Sequence, residues 1–436
     1  MELNSLTFIL IYLPMFIMSL FLFKNNKYRR IVIFLFSFLF YLLNSKIYIL
    51  LLFGEIIITY LFGKKVSKNK VLYIIYLLLI VSILCFFKYK NGIIFPLGLS
   101  FYTFTSISYV SDVYRNKIES EKNLFDLTLY LSFFPTITSG PIVRYDSFHS
   151  YVKNISLNID LISDGLRRFI VGLFKKVVIA NQLSVAVNVC FDKNTQLSTP
   201  LAWFGAICFM LQLYYDFSGY SDMAIGICKM IGYEVKENFN DPYISKSIKE
   251  FWRRWHISLS MWFKDYVYIP LGGNRVAFTR WLINILIVWS LTGIWHGSTI
   301  NYLLWGLWNA LLLVLEKVLL DKKNINEWLR LIGAQFCVML GFVIFRASDL
   351  QFLSQYLKAL FGFGAPFSLF YIKRLDILYL WFYIFLAIMF IIPKIKQKFY
   401  SLKIHNYFDL ILLMMLFISI VFIISGSYSN FIYAEF

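Results

Sequence analysis

The sequence predicts an all-α polytopic membrane protein, and three observations carry that prediction. Hydrophobic residues make up 59% of the 436-residue chain and charged residues only 15%, where a soluble domain carries about 25% charged residues to keep its surface wet. The apolar residues come in long runs, at 6–23, 31–43, 47–62, 71–87, 377–392 and 410–424. The basic residues cluster between those runs rather than inside them. A helix needs roughly 17 to 25 apolar residues to cross the hydrocarbon core, and unpaired backbone amides are excluded from lipid. By that rule the chain makes roughly eleven to thirteen crossings.

Taken in order, the run at 6–23 follows MELNS, which has no basic region, and no small-residue cleavage site follows it. It reads as a retained first helix rather than a signal peptide. The densest basic groups are KNNKYRR at 24–30, KKVSKNK at 64–70, and KIKQK with Lys403 at 394–403. The loops near Lys46 and Lys88 carry less charge. The positive-inside rule then puts the first and third loops in the cytoplasm and the amino terminus outside. The crossing at 410–424 takes the carboxyl-terminal tail outside as well. The net charge of +18 is accounted for in this way, and a nucleic-acid partner is excluded. Cys85, Cys190, Cys208, Cys228 and Cys337 form no CxxC and no disulfide framework, so they read as small buried residues.

The chain reads as one integral membrane domain with three styles. Residues 1–90 are plain lipid-soluble spans, residues 91–364 form a core broken by Gly, Pro, Arg, Asp and His, and residues 365–436 are the last helices and an outer tail. Ionisable residues in membrane-depth sequence are costly and mark sites or pathways, so the core carries the chemistry.

Within KSIKEFWRRWHISLSMWFKDYVYIPLGGNR at 246–275, helical spacing puts Trp252, Trp255, Leu259 and Trp262 on one face and Arg253 and Arg254 off it. That pattern fits a helix lying in the membrane interface, with the tryptophans also explicable as an aromatic belt. Arg253, Arg254, Arg275 and Arg280 crowd one stretch of a chain that otherwise prefers Lys. With Lys264 they suit an anionic ligand, since Arg offers bidentate contacts to phosphate or carboxylate. The glycines of PLGGNR at 270–275 allow a tight backbone turn.

His296 sits in WSLTGIWHGSTINYLLWGLWN at 289–309, beside Trp295 and between Gly293 and Gly297. A neutral imidazole in an apolar cavity suits a general base. The alternative is a buried histidine hydrogen-bonded across helices. His256 is the second candidate, and His149 and His405 sit in loop-like surroundings. Asp216 and Asp222 lie in a Gly/Ser-interrupted helix and read as structural, paired with an Arg or capping a helix end. No metal site is expected, because the chain has four His, isolated Cys and no acidic cluster at ligand spacing. No GxSxG, Walker loop, dinucleotide fingerprint or HExxH occurs.

An ordered set of segments then resembles the bacterial membrane-bound O-acyltransferases, particularly the alginate O-acetylation branch. It comprises PLGLSFYTFTSISYVSDVYR at 96–115, FFPTITSGPIVRY at 133–145, YYDFSGYSDMAIG at 214–226, the long block at 237–275, LTGIWHG at 291–297 and VIFRASDL at 343–350. The resemblance implies a ring of tilted transmembrane helices around a central funnel, with His296 catalytic by its place in LTGIWHG and His256 the second functional histidine. It implies acyl transfer from a cytoplasmic thioester, acetyl-CoA as donor substrate with no bound cofactor, to a cell-envelope glycan outside. An extracytoplasmic acyltransferase- or esterase-like partner completes the transfer. Arg253, Arg254, Lys264 and Arg275 would hold the donor, with Asp216, Asp222 and Trp295 in support. The terminal FIYAEF fits Phe-x-Tyr-x-x-Phe, a tail that in such systems carries the acyl group on its tyrosine. Tyr433 would then be a relay seated by Phe431 and Phe436, or else an interfacial anchor. Two other readings stand beside this one. They are D-alanyl transfer to teichoic acid from a carrier protein, and a non-enzymatic flippase of lipid-linked saccharide.

Overall fold

Every regular element in the computed structural model is helical among the described residues, which are all except 91, 321–324, 369–376, 393–404 and 427–436. The helices are α1 (Leu13–Phe21), α2 (Asn26–Ser45), α3 (Ile49–Lys65), α4 (Lys70–Tyr89), α5 (Leu99–Tyr114), α6 (Leu124–Leu131), α7 (Phe134–Ile137), α8 (Tyr145–Lys153), α9 (Ile159–Phe174) and α10 (Asn181–Cys190). There follow α11 (Thr199–Met230), α12 (Ile248–Arg254), α13 (Ile257–Phe263), α14 (Phe278–His296), α15 (Ile300–Leu315), α16 (Glu327–Arg346), α17 (Leu350–Leu360), α18 (Ile377–Ile391) and α19 (His405–Ile424). Small polar residues start many of them. Asn25, Asn69, Asn123, Ser247, Asn326 and Asp349 each accept a backbone N–H of the helix they precede, each worth about 1 kcal/mol to its helix.

Among the described residues, six helical stretches are long and apolar enough to cross a membrane, and three shorter apolar helices accompany them. Apolar runs do not all become full-length helices. The first run forms helix only over Phe8–Phe21, about 21 Å at 1.5 Å per residue, against a core of about 30 Å. Residues 26–65 form a single stretch by length but divide at Lys46, whose φ is 40°. Large side chains such as Leu22, Met18, Val71 and Leu78 lie exposed along these helices, as a lipid-facing surface requires. Cys190, Cys208 and Cys228 are buried, but Cys85 is exposed on α4, which corrects the expectation for that residue.

The chain divides into two compact units, one of residues 1–172 with 220–237 and the other of residues 173–219 with 238–426. In the first, α3 packs on α4, α5 and α6, and α2 on α6, α7 and α8. Its apolar centre is a ring cluster in which Phe8, Tyr12, Phe16 and Phe40 surround Phe134. The same unit holds a close crossing of α9 and α11. A Cβ on Gly226 would lie 2.7 Å from the Gly165 carbonyl oxygen, and one on Gly165 would lie 2.5 Å from that of Gly226. In the second unit, α15 packs along α14 and α16 and touches α12, while α10 packs on α18.

Two expected elements take different forms. The interfacial helix through Trp252 and Trp262 is two short helices, α12 and α13, broken where His256 adopts φ 43°. Its tryptophan face survives the break, with Trp255, Leu259 and Trp262 buried and Arg253 exposed. The helix of Asp216 and Asp222 is uninterrupted, running 32 residues through both, since its Gly and Ser residues are spent on packing rather than on a break.

Replacing Gly226 with Ala pushes a methyl group into backbone and is expected to destabilise by about 1–3 kcal/mol. Gly333→Ala, at an exposed site on α16 with nothing within 4 Å, should instead gain up to about 1 kcal/mol of helix propensity. Melting temperatures of the two purified variants in one detergent check the pair.

Candidate active site

Helices α14 and α15 form an antiparallel hairpin closed by three residues, 297–299. They pack closely because two facing positions lack side chains. A Cβ on Gly293 would stand 2.4 Å from the Tyr302 carbonyl oxygen, and one on Gly306 would stand 2.3 Å from that of Trp289. His296 ends α14 at the mouth of this hairpin and is 3% exposed. Its ring is walled by Trp295 at 4.5 Å, Trp305 at 4.9 Å and 90°, and Phe345 at 5.1 Å and 82°, with Tyr302 at 6.4 Å. Helices α14, α15 and α16 thus enclose one imidazole in aromatic surfaces. Such walls leave little room for water beside the ring.

Trp305 also links that wall to α12. It lies 5.7 Å from Trp252, which lies 4.7 Å from Trp289, so three tryptophans tie α12 to the hairpin. Two polar groups of the following helical turns complete the attachment. Asn309 accepts the Trp252 indole N–H at 3.1 Å. The buried Glu316 carboxylate accepts the backbone N–H groups of Ile248 at 2.6 Å and Lys249 at 3.3 Å, capping the first turn of α12 where its dipole is positive. Neither residue stood out in the sequence, since one Asn and one Glu near an apolar run carry no motif.

His256 sits at the α12–α13 break, 2% exposed. Its Nδ1 lies 3.3 Å from Asn238 Oδ1, and the Phe217 ring stands edge-on at 4.5 Å. The same Oδ1 accepts the Ser258 backbone N–H at 3.0 Å and the Ser258 hydroxyl at 2.9 Å. A backbone N–H can only donate, so this oxygen is an acceptor and His256 must donate from Nδ1, leaving its lone pair on Nε2. Burial pushes the imidazole down to about 3, so it is neutral at physiological pH.

The cationic residues separate into two kinds. Arg253, Lys264 and Arg275 are exposed. Arg254 is engaged internally, bonding Glu250 at 2.9 Å and the Asn240 carbonyl at 3.1 Å. In PLGGNR, Gly272 and Gly273 both adopt positive φ, and Asn284 holds the turn through the Leu271 and Gly273 carbonyls. The aspartates are both in ion pairs. Asp222 receives Arg168 at 2.8 and 3.1 Å, with Glu237 on the same guanidinium. Asp216 pairs with Lys176, and both side chains are nearly inaccessible. Lys176 was missed because KK at 175–176 resembles a loop, whereas it lies inside a buried helical stretch. His149 lies within α8 rather than in a loop, beside Tyr145 and Glu121. Tyr433, Phe431 and Phe436 lie outside the described residues, and so does any test of their placement.

The model of the MBOAT, membrane-bound O-acyltransferase family matches residues 116–346, a span that holds both histidines. The chain is 36% identical over 395 residues to a Pseudomonas aeruginosa protein named probable alginate O-acetylase AlgI, covering 84% of this chain and 75% of that relative. It is 33% identical over 421 residues to the peptidoglycan O-acetyltransferase of Helicobacter pylori, covering 82% and 79%. It is 33% identical over 241 residues to the teichoic acid D-alanyltransferase of Bacillus subtilis, covering 51% and 59%.

Removing one partner of the Lys176–Asp216 pair should cost about 3–5 kcal/mol, while replacing both with apolar residues should restore most of it. Melting of Asp216→Leu against the double variant Asp216→Leu/Lys176→Met measures this. The His256 ring gives a pH signature of known sign. Its value falls from 6.5 in the unfolded chain to about 3 in the folded one, so the unfolded state binds the extra proton between those values. Stability is complete above about 6.5 and falls as pH drops, by about 1.4 kcal/mol per unit where the slope is full. His256→Gln should flatten that slope in melts taken from pH 7 to 4.

Proposed function

Because the chain belongs to the membrane-bound O-acyltransferase family, we propose that it takes an acetyl group from cytoplasmic acetyl-CoA and delivers it for O-acetylation of a cell-envelope polysaccharide. It is a multi-pass membrane O-acyltransferase, so the flippase reading falls. The observation that carries the acetyl reading is the match, over most of both chains, to the probable alginate O-acetylase and to the peptidoglycan O-acetyltransferase. The D-alanyltransferase match spans about half of this chain, and D-alanyl transfer is therefore the second reading.

In the proposed reaction His296 removes the proton of an attacking hydroxyl. The oxygen bonds to the thioester carbonyl carbon, and the oxyanion collapses with cleavage of the C–S bond. The proton then passes from the imidazolium to the departing thiolate. The surrounding rings keep water from competing for the thioester. His256, with its basic atom on Nε2, is the second functional histidine. Arg253, Lys264 and Arg275 supply exposed cations for the phosphates of coenzyme A, and Arg254 holds the end of α12, which presents Arg253. Asp216 and Asp222 support the fold through their ion pairs, and Trp295 supports the His296 ring. The attacking hydroxyl is that of Tyr433, which takes the acetyl group as an ester beside His296 and passes it to an extracytoplasmic acyltransferase- or esterase-like partner, with Phe431 and Phe436 seating the tail. Both termini face outward from the bacterial cell membrane.

Isotope-labelled acetyl-CoA tests the reading. His296→Ala should lower transfer at least about 100-fold while the protein elutes and melts as wild type, and wild-type turnover in that variant would overturn the assignment. Intact mass of the C-terminal peptide after exposure to acetyl-CoA should show one acetyl group on wild type and none on Tyr433→Phe. An unmodified wild-type tail under turnover removes the relay and leaves direct transfer, and a D-alanyl adduct from a charged carrier protein favours the second reading.

A further inference from the structure

One ionisable side chain lies deep in the helices of the first unit, in a run that hydropathy treats as plain. Glu55, near the middle of α3, is 2% exposed, and its neighbours in sequence, LLLFGEIIITY, are otherwise apolar or uncharged. It faces α5, where Ser106 Oγ stands 2.7 Å from Glu55 Oε1 and Thr103 Oγ1 stands 3.3 Å from Oε2. Ser106, Thr103, Thr59, Tyr41, Tyr76 and Tyr102 are all buried with it. The titratable groups within electrostatic reach are tyrosines, Tyr41 from α2, Tyr76 from α4 and Tyr102 from α5. Helix α6, which also packs on α3, brings Asp126, and that carboxylate is paired with Arg30.

The count of hydrogens decides the state of the carboxyl. Ser106 Oγ is within hydrogen-bond distance of two acceptors, Glu55 Oε1 at 2.7 Å and the Thr103 carbonyl at 2.9 Å. A serine hydroxyl has a single hydrogen. Each contact is a full two-centre hydrogen bond when Glu55 carries a proton on Oε1 and donates it to Ser106 Oγ, which in turn donates to the Thr103 carbonyl. Thr103 Oγ1 then donates to Oε2, and every group in the chain is satisfied. Were the carboxyl ionised, the one Ser106 hydrogen would be shared between two acceptors and a charge would stand in apolar surroundings, which is costly.

We propose that Glu55 is an intramembrane proton-binding site, a carboxylic acid held neutral by the Ser106–Thr103 relay of α5. The site is distinct in sequence and chemistry from the histidines and does not depend on the acetyl reading. Its ligand is a proton, and it is the place in this unit where a hydrophobic acid-modifying reagent reacts.

The full-length protein in detergent, treated at pH 7 with dicyclohexylcarbodiimide, tests this. That apolar reagent adds a protonated carboxylic acid across its N=C bond, the acid's proton going to nitrogen, and rearranges to a stable N-acylurea. Peptide mass spectrometry should find one reagent on the Glu55 peptide, diminishing as pH is raised and equal in sodium and choline chloride. Glu55→Gln should take no reagent at this peptide yet melt close to wild type, because its amide repeats the donor to Ser106 and the acceptor from Thr103. Glu55→Ala should melt lower. An unlabelled Glu55 in folded wild type overturns the proposal. So does protection by sodium alone, which would make the site a cation site, or a Gln variant as unstable as the Ala variant.

Discussion

The close approach of α14 and α15 is the constraint on which the surroundings of His296 depend. Gly293 and Gly306 place carbonyl oxygens of the partner helix 2.4 and 2.3 Å from where a Cβ would stand, so any side chain there forces the helices apart. With the helices closed, Trp305 reaches the His296 ring on one side and Trp252 on the other. The position of the imidazole and the attachment of α12 therefore rest on the same backbone contact. Glu316 and Asn309 then secure α12 with charge-assisted and amide hydrogen bonds, which are strong in a low-dielectric setting.

Several ionisable groups inside this apolar molecule are matched by partners from other helices or loops. Lys176 has Asp216, Arg168 has Asp222 and Glu237, and His256 has Asn238. Glu55 is matched by hydroxyls rather than a cation. The difference separates two ways of keeping ionisable groups out of water. A pair keeps both charges and fixes the register of two helices, whereas a lone acid among hydroxyls keeps its proton.

Much of this was legible beforehand. The apolar runs gave α2, α3, α4, α18 and α19 nearly at their ends, because lipid solubility is a property of composition. The motif LTGIWHG located His296, because a histidine between glycines in an apolar run is rare for physical reasons. The break at His256 was not legible. Trp252, Trp255, Leu259 and Trp262 keep helical spacing across it, and spacing alone does not reveal that Asn238 accepts the Ile257 and Ser258 amides and turns the chain. Nor was the continuity of α11 legible, since Gly226 reads as an interruption until the neighbouring helix that needs its flatness is in place.

By itself the sequence determined that the chain lives in a membrane, that it is helical and which family it resembles. These follow from composition and from contiguous motifs, which need no knowledge of what touches what. Only the tertiary structure decided that Arg254 is held by Glu250 and Asn240, that Lys176 lies buried against Asp216, and that Glu55 lies buried against the hydroxyls of Ser106 and Thr103. Protonation and pairing depend on burial and on atoms brought from distant segments, and a linear chain holds neither until it folds.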